Sequence, residues 1–398
     1  MPKRRPLRKW KNENAHFALA IYGGSQQLQM SISGNFGRGR GDPPPCYPQL
    51  CYNLAMANVQ PIPVVFAFNA DYALPASVAI QSLLASKRPE TAYDIIVLHT
   101  GLPERMKRKM ETIAPIRWIE ADTARFAHFP KGWGGTETWL RLLLAELLPE
   151  HDKVIWSDVD VLFCDDLSDV FSLDLGPAEW AGVAMEADGA PYRQHNSWGR
   201  HARIYIPSLM VANLERWRAT GFLARCERVV SEYGSRLTMC DLDVLNIAAE
   251  KIAPLPLAFC VLERLKFGAD MTKAREYAPL RSVYTDDELR DACRHPAILH
   301  FAGPTVKVWL RAPWRMPACY REAMLRSPFG GQIREWTWII RTTIQLIRWF
   351  AAWLCGPASR RPRARRHFGI YRRSLAGAIG LTKLASDSLW QPTEQTKG

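Results

Sequence analysis

The segment Val154-Ile155-Trp156-Ser157-Asp158-Val159-Asp160-Val161-Leu162-Phe163 ends an apolar run in two carboxylates two residues apart. In an extended chain, residues i and i+2 point to one side, so Asp158 and Asp160 face together while Val159 faces away. Two adjacent carboxylates repel unless a cation sits between them. A divalent ion with oxygen ligands is the natural occupant. A second segment, Ile298-Leu299-His300-Phe301-Ala302-Gly303-Pro304, brings an apolar strand to a histidine just before a Gly-Pro turn. Lys307, Trp309, Arg311 and Trp314 follow closely. An imidazole added to two carboxylates suits Mn²⁺ better than Mg²⁺, and the turn with its lysine and tryptophans forms an anion pocket. An Asp-x-Asp pair is common by chance, and a lone histidine is more often structural. Their combination is what points to a metal site that receives an anionic ligand.

These residues need a scaffold, and the chain supplies one from residue 61 onward. Ile62–Phe68 reads as a buried strand. Ala76, Ala79, Ile80, Leu83 and Leu84 then repeat with helical spacing. Asp94–His99 and Ile116–Glu120 read as further strands, with a helix between them whose face is Met106, Met110 and Ile113. Glu137–Leu148 predicts a strongly apolar helix ended by Pro149, and Lys153–Ser157 a fourth strand. Strands alternating with helices imply an α/β fold with a mostly parallel, doubly wound sheet. Such sheets bind ligands at the carboxyl ends of their strands, which is where Asp158 and Asp160 fall.

Composition narrows the function classes. The 398 residues are 47% apolar and 23% charged, a globular balance, with a net charge of +13. Residues 1–60 hold eight basic and two acidic side chains, and residues 331–398 hold twelve and three, which leaves −2 for residues 61–330. A uniformly basic body made for nucleic acid is therefore excluded. Residues 1–60, rich in Asn, Gln, Gly and Pro, read as an unfolded basic leader. Met56, just before the first strand, is a candidate translation start. The glycine run of residues 37–41 precedes prolines rather than a helix, so it makes a poor phosphate loop. No Gly-x-Ser-x-Gly elbow supports a serine hydrolase, and the nine cysteines contain no C-x-x-C pair.

The tail, residues 331–398, is different in kind. Arg334, Arg341 and Arg348 share one stripe of a helix over Ile333–Cys355, while tryptophan, isoleucine and phenylalanine fill most of the rest. Three arginines and a glutamate make a bilayer span costly, and a helix lying in the interface fits better. The run Arg360-Arg361-Pro362-Arg363-Ala364-Arg365-Arg366 follows. Basic side chains near an anionic leaflet contribute about 1 kcal/mol each. The tail thus predicts a cytoplasmic protein held peripherally on the inner face of the cytoplasmic membrane.

Over residues 61–315 the chain resembles glycosyltransferase family 8. The parts occur in order: a first strand in Val64–Tyr72, the Arg-Leu helix Glu137–Leu148, the Asp-x-Asp strand Val154–Phe163 and the late turn His300–Trp309. The resemblance implies a GT-A nucleotide-diphospho-sugar transferase fold, with a Rossmann-like sheet, followed here by C-terminal amphipathic helices. It implies a retaining transferase whose donor is UDP-glucose or UDP-galactose and whose acceptor is a saccharide or glycolipid such as lipopolysaccharide core. By the same match Asp158, Asp160 and His300 are metal ligands for Mn²⁺ or Mg²⁺. Asn69, Asp71, Tyr72, Arg141, the Asp158-Val159-Asp160 loop, Gly303 and Lys307 are donor-binding, and Asp241, Asp243 and Lys307 are catalytic. The chain departs from the family at Ile206-Pro207-Ser208, where Asn-Ser-Gly or Asn-Ala-Gly is usual, and at Leu242, where glutamine is usual. Lys307 lies one residue later than usual. A catalytically weak nucleotide-sugar-binding protein and a metal-dependent phosphohydrolase are the competing readings.

Overall fold

The computed structural model describes residues 18–22, 29–33, 60–130, 135–187, 201, 203–302, 307–333, 335–355 and 361–378. Met56, Gly303 and Arg334 lie outside the described residues. The chain divides into two units, Met1–Asn58 and Val59–Gly398. In the first, strands β1 (Ala18–Tyr22) and β2 (Gln29–Ser33) pair antiparallel, with Leu19 opposite Ile32 and Ile21 opposite Met30. The leader's composition predicts no regular structure, whereas these two segments pair as strands.

The second unit is built on a seven-stranded sheet. Its strands are β3 (Ile62–Ala67), β4 (Tyr93–His99), β5 (Arg117–Glu120), β6 (Lys153–Ser157), β8 (Trp180–Ala187), β9 (Arg203–Asn213) and β10 (Ile252–Leu255), in the order β10-β8-β9-β6-β3-β4-β5. All neighbours run parallel except β9, which is antiparallel to both β6 and β8. Both faces are covered, which is why the strands read as near-continuous apolar runs. Val64, Phe66, Ile95 and Val97 pack into one core, and Val65, Ile96 and Leu98 into the other.

A second, three-stranded sheet carries the late histidine. Strand β7 (Val161–Phe163) pairs antiparallel with β12 (Ile298–His300), and β12 pairs parallel with β11 (Val261–Leu262). Helix α1 (Ala73–Ser86) buries the predicted face of Ala76, Ala79, Ile80 and Leu83. It also fixes β7, because Ser82 Oγ accepts the Phe163 N–H at 3.0 Å. The segment 137–148 is helical, but residues Thr136–Leu143 form a 3-10 helix and only Leu144–Leu147 an α-turn. Residues three apart eclipse in a 3-10 helix. Arg141 thereby lies over Thr138 and gives its Nε–H to that carbonyl at 3.2 Å.

Helix α2 (Asp241–Ala248) is tied to β9 by one buried amide. Asn246 Oδ1 accepts from Tyr205 N at 2.9 Å, and Nδ2 donates to Tyr205 O at 2.8 Å and Leu242 O at 2.9 Å. The tail forms α3 (Glu335–Cys355) and α4 (Arg361–Ala378), packed together through Trp349 on His367 and Phe350 and Trp353 on Phe368. The basic run thus belongs to a second helix. Trp338, buried on α3, meets Trp314 of the body, and Ser374 on α4 donates to the Leu310 carbonyl. No helix among the described residues is long and apolar enough to cross a membrane.

Truncating Asn246 would strand a backbone N–H and carbonyl of β9, each costly to leave unmade. Asn246→Ala is expected to lower unfolding stability by about 2–4 kcal/mol, read from urea denaturation monitored by circular dichroism. A change within about 0.5 kcal/mol would refute this tie.

Candidate active site

The two sheets meet at Asp158-Val159-Asp160. Strand β6 ends at Ser157, and β7 begins at Val161 in the other sheet. The link is therefore a bend. Asp158 N donates to Ser208 O at 2.8 Å, which holds the link's start to β9. Asp160 O accepts from Phe301 N at 2.8 Å, which holds its end to β12. Val159 is buried in the core, so its side chain packs and does not line the site. The pairing of His300 with Val161 sets the imidazole beside Asp160. Ligand atoms of Asp158, Asp160 and His300 all lie within 4.8 Å of one another. His300 Nε2 is 3.3 Å from Asp160 Oδ1 and 3.9 Å from Asp158 Oδ2.

Each carboxylate has its own cation. Lys307 Nζ lies 2.7 Å from Asp160 Oδ2, so its one-residue displacement along the sequence does not take it out of the site. Arg141 Nη2 lies 3.0 Å from Asp158 Oδ1, and Nη1 is 3.2 Å from Asp241 Oδ2 and 3.0 Å from Pro207 O. The guanidinium rests over the Trp156 ring, 4.7 Å from its centroid. Asp158 and Lys307 keep the most access, with 28% and 27% of their side chains exposed against 4% for His300.

Burial raises the Asp158 carboxyl above its ordinary range, with Arg141 pulling it back. Burial would raise Asp160 as well, but Lys307 and His300 outweigh it and hold that carboxyl well below the usual range. His300 is pushed up: burial lowers it, while Cys260 and Asp160 raise it further. Lys307 is also raised, its burial more than offset by Asp160. Two carboxylates and one imidazole converging on one place fit a divalent cation with mixed O/N ligands.

The remaining sequence candidates sort by place. Tyr72 packs edge-on to Trp309 at 5.7 Å, and Lys307 Nζ stands 5.7 Å from that same ring, so the Asn69–Tyr72 turn borders the cluster. Asn69 Oδ1 is occupied in capping the turn, accepting from Asp71 N at 3.0 Å. Asp71 points outward and faces Arg363 of α4 at 3.6 Å, so the tail reaches the turn that borders the cluster. Asp241 joins the cluster through Arg141. Asp243 Oδ2 instead accepts from the backbone N–H of Thr238 and Met239, both at 2.7 Å. It shapes the turn that ends in Cys240, which has φ of +48°, a strained conformation outside glycine. Asp243 thus supports the turn that presents Asp241.

Trp156, the Pro207 carbonyl, Ser208 and Cys260 reach the cluster only through folding. Trp156 had a hint in lying two residues before Asp158, and Pro207 and Ser208 had one in the stretch that departs from the family, whereas Cys260 had none.

An open, mostly parallel α/β sheet with a carboxylate–imidazole cluster at its strand ends is the fold of the GT-A glycosyltransferases. Residues 63–312 match the sequence profile of Glycosyl transferase family 8, and the chain belongs to that family. General stress protein A of Bacillus subtilis (strain 168) is 23% identical over 255 residues, covering 60% of this chain and 85% of that protein. The galactosyltransferase LgtC, solved in complex with donor and acceptor sugar analogs, has a similar fold. It is 22% identical with a TM-score of 0.53, covering 68% of this chain and 96% of LgtC. The bifunctional glycosyltransferase WbbM is 19% identical with a TM-score of 0.56, covering 77% of this chain and 55% of WbbM.

Asp241 carries a pH dependence with a definite sign. Burial, opposed by Arg141, pushes its carboxyl up to about 6 from an ordinary 3.8. The folded state then binds this proton more tightly than the unfolded chain. The stability it contributes is full below about pH 4 and is lost as pH rises through about 6. In EDTA, Asp241→Asn is expected to flatten the fall in Tm across that window. Scanning fluorimetry that shows the wild-type slope retained in the variant would contradict this.

Proposed function

We propose that the protein is a metal-dependent retaining hexosyltransferase. It moves a hexose from a UDP-sugar, UDP-glucose or UDP-galactose, to a saccharide or glycolipid acceptor such as lipopolysaccharide core. The observation that carries the reading is the convergence of Asp158, Asp160 and His300 with Lys307 at the strand ends. Asp158, Asp160 and His300 would hold Mn²⁺ or Mg²⁺. Such a cation supplies positive charge to a departing diphosphate, Lewis-acid assistance to the leaving group.

The other roles fall to this chain's own groups. Lys307 brings a second positive charge to the phosphates, in a place where preorganised charge is effective because water is partly excluded. Arg141 neutralises Asp158 and Asp241 together and keeps both carboxylates oriented. Asp241, buried and facing the cluster through Arg141, is placed to accept hydrogen bonds from sugar hydroxyls. Tyr72, half-buried beside Trp309, would line the nucleoside side of the donor. The family resemblance supports retention by attack of the acceptor hydroxyl on the face the diphosphate leaves.

The tail supports a peripheral membrane location. Ile340, Ile344, Ile347, Phe350 and Leu354 form one stripe of α3 and are each 43–63% exposed, while Trp338 and Thr342 turn inward. The neighbouring helix α4 adds Arg361, Arg363, Arg365, Arg366, Arg372 and Arg373. Apolar insertion together with a polybasic patch is the two-signal arrangement that stable anchoring needs.

A panel of nucleotide sugars, assayed with and without Mn²⁺ and a saccharide acceptor, tests the chemistry. Transfer from a UDP-sugar that EDTA abolishes is expected, with Asp158→Asn and Asp160→Asn lowering it by about 10³-fold or more while Tm is kept. Phosphate release that is indifferent to acceptor would instead indicate a hydrolase. For the tail, Ile344→Glu with Ile347→Glu is expected to abolish sedimentation with anionic vesicles while leaving UDP-sugar binding intact. Sedimentation equal to wild type would remove the membrane role.

A further inference from the structure

Behind the cluster lies a sulfur that neither the composition nor the matched motifs single out. Cys260 ends a 3-10 turn, Leu257–Cys260, immediately before β11. The parallel pairing of β11 with β12 puts Leu262 opposite His300. This register brings Cys260 Sγ to 3.4 Å from His300 Nδ1, the ring nitrogen turned away from the carboxylates. Ser208 Oγ donates to the same sulfur at 3.3 Å. Ser208, Cys260 and His300 are all buried. Ser208 also belongs to the stretch Ile206-Pro207-Ser208, where the chain departs from its family's usual residues, and its backbone carbonyl holds Asp158 N.

We propose that Cys260 is a positioning residue for His300, with Ser208 behind it: the sulfur accepts the Nδ1–H and keeps Nε2 directed at Asp158 and Asp160. A ligating imidazole presents one nitrogen's lone pair, so the other nitrogen must carry the proton and needs an acceptor. Carboxylates, carbonyls or water usually fill that place. Here a thiol does, held in position by the Ser208 hydroxyl. Sulfur is a weak acceptor, so the relay acts chiefly by fixing ring orientation and the Nδ1–H tautomer. The inference rests on the metal-site reading of Asp158, Asp160 and His300.

The test is Mn²⁺ binding to the full-length protein, followed by electron paramagnetic resonance of the free ion, with Tm measured in parallel. Cys260→Ala removes the acceptor and is expected to weaken Mn²⁺ binding about 10-fold or more, the range typical of outer-shell partners. Cys260→Ser restores an acceptor and is expected to stay within about 3-fold of wild type, and Ser208→Ala to fall between the two. A Cys260→Ala protein that binds Mn²⁺ as wild type does, with only its Tm shifted, overturns the proposal. So does a Cys260→Ser protein as weak as Cys260→Ala. If Cys260→Ala does not fold, Ser208→Ala decides, and unchanged affinity there overturns the relay. Absence of saturable Mn²⁺ binding by the wild type overturns the metal-site reading itself. Wild-type binding that is lost in Asp160→Asn yet indifferent to Cys260 and Ser208 overturns the relay alone.

Discussion

Two carboxylates held within a few ångströms of one another, and largely out of water, repel strongly. Asp158 and Asp160 are kept together because each faces its own cation from a different part of the chain. Arg141 comes from the 3-10 segment before β6, and Lys307 from further along the chain after β12. His300 stands between, 3.3 Å from one carboxylate and 3.9 Å from the other. The balance is uneven. Burial lifts Asp158 while Lys307 and His300 depress Asp160, so the pair is already polarised toward one firm anion and one more readily protonated partner. A divalent ion entering such a site meets a donor set whose charges have been prepared by the protein.

That balance explains why the surrounding structure is tied so closely. Arg141 is held by Thr138 O, Pro207 O, Asp158, Asp241 and the face of Trp156, which leaves the guanidinium one position. Asp241 is in turn presented by a strained turn at Cys240 that Asp243 secures. Asn246 fastens the same helix to β9, the strand whose Ser208 carbonyl holds Asp158 N. The small sheet supplies the other half, since β7 and β12 bring Asp160 and His300 into register. The tail touches this arrangement at its edge, through Arg363 to Asp71 and Ser374 to Leu310. Its apolar stripe on α3 is exposed. One helical pair thus carries an exposed apolar stripe and the contacts to Asp71 and Leu310.

The sequence alone determined much of this. The α/β alternation was readable because strands buried on both faces are written as unbroken apolar runs, and α1 because its buried face repeats with helical spacing. Asp158 and Asp160 were readable because they are two residues apart at a strand end. His300 and Lys307 were readable because they follow an apolar strand and a Gly-Pro turn. The ordered set of motifs carried the family. Tertiary structure decided the rest. Local pattern cannot reveal that β9 runs against its neighbours, because strand direction is set by the connections and not by the residues. Nor can it show that Asp243 braces a turn while Asp241, two residues earlier, joins the cluster, because a carboxylate's role depends on which partners folding delivers. Cys260 and Ser208 are 52 residues apart and Cys260 and His300 40. Only strand register brings them together, and a thiol and a hydroxyl in apolar segments leave no periodic trace in the chain.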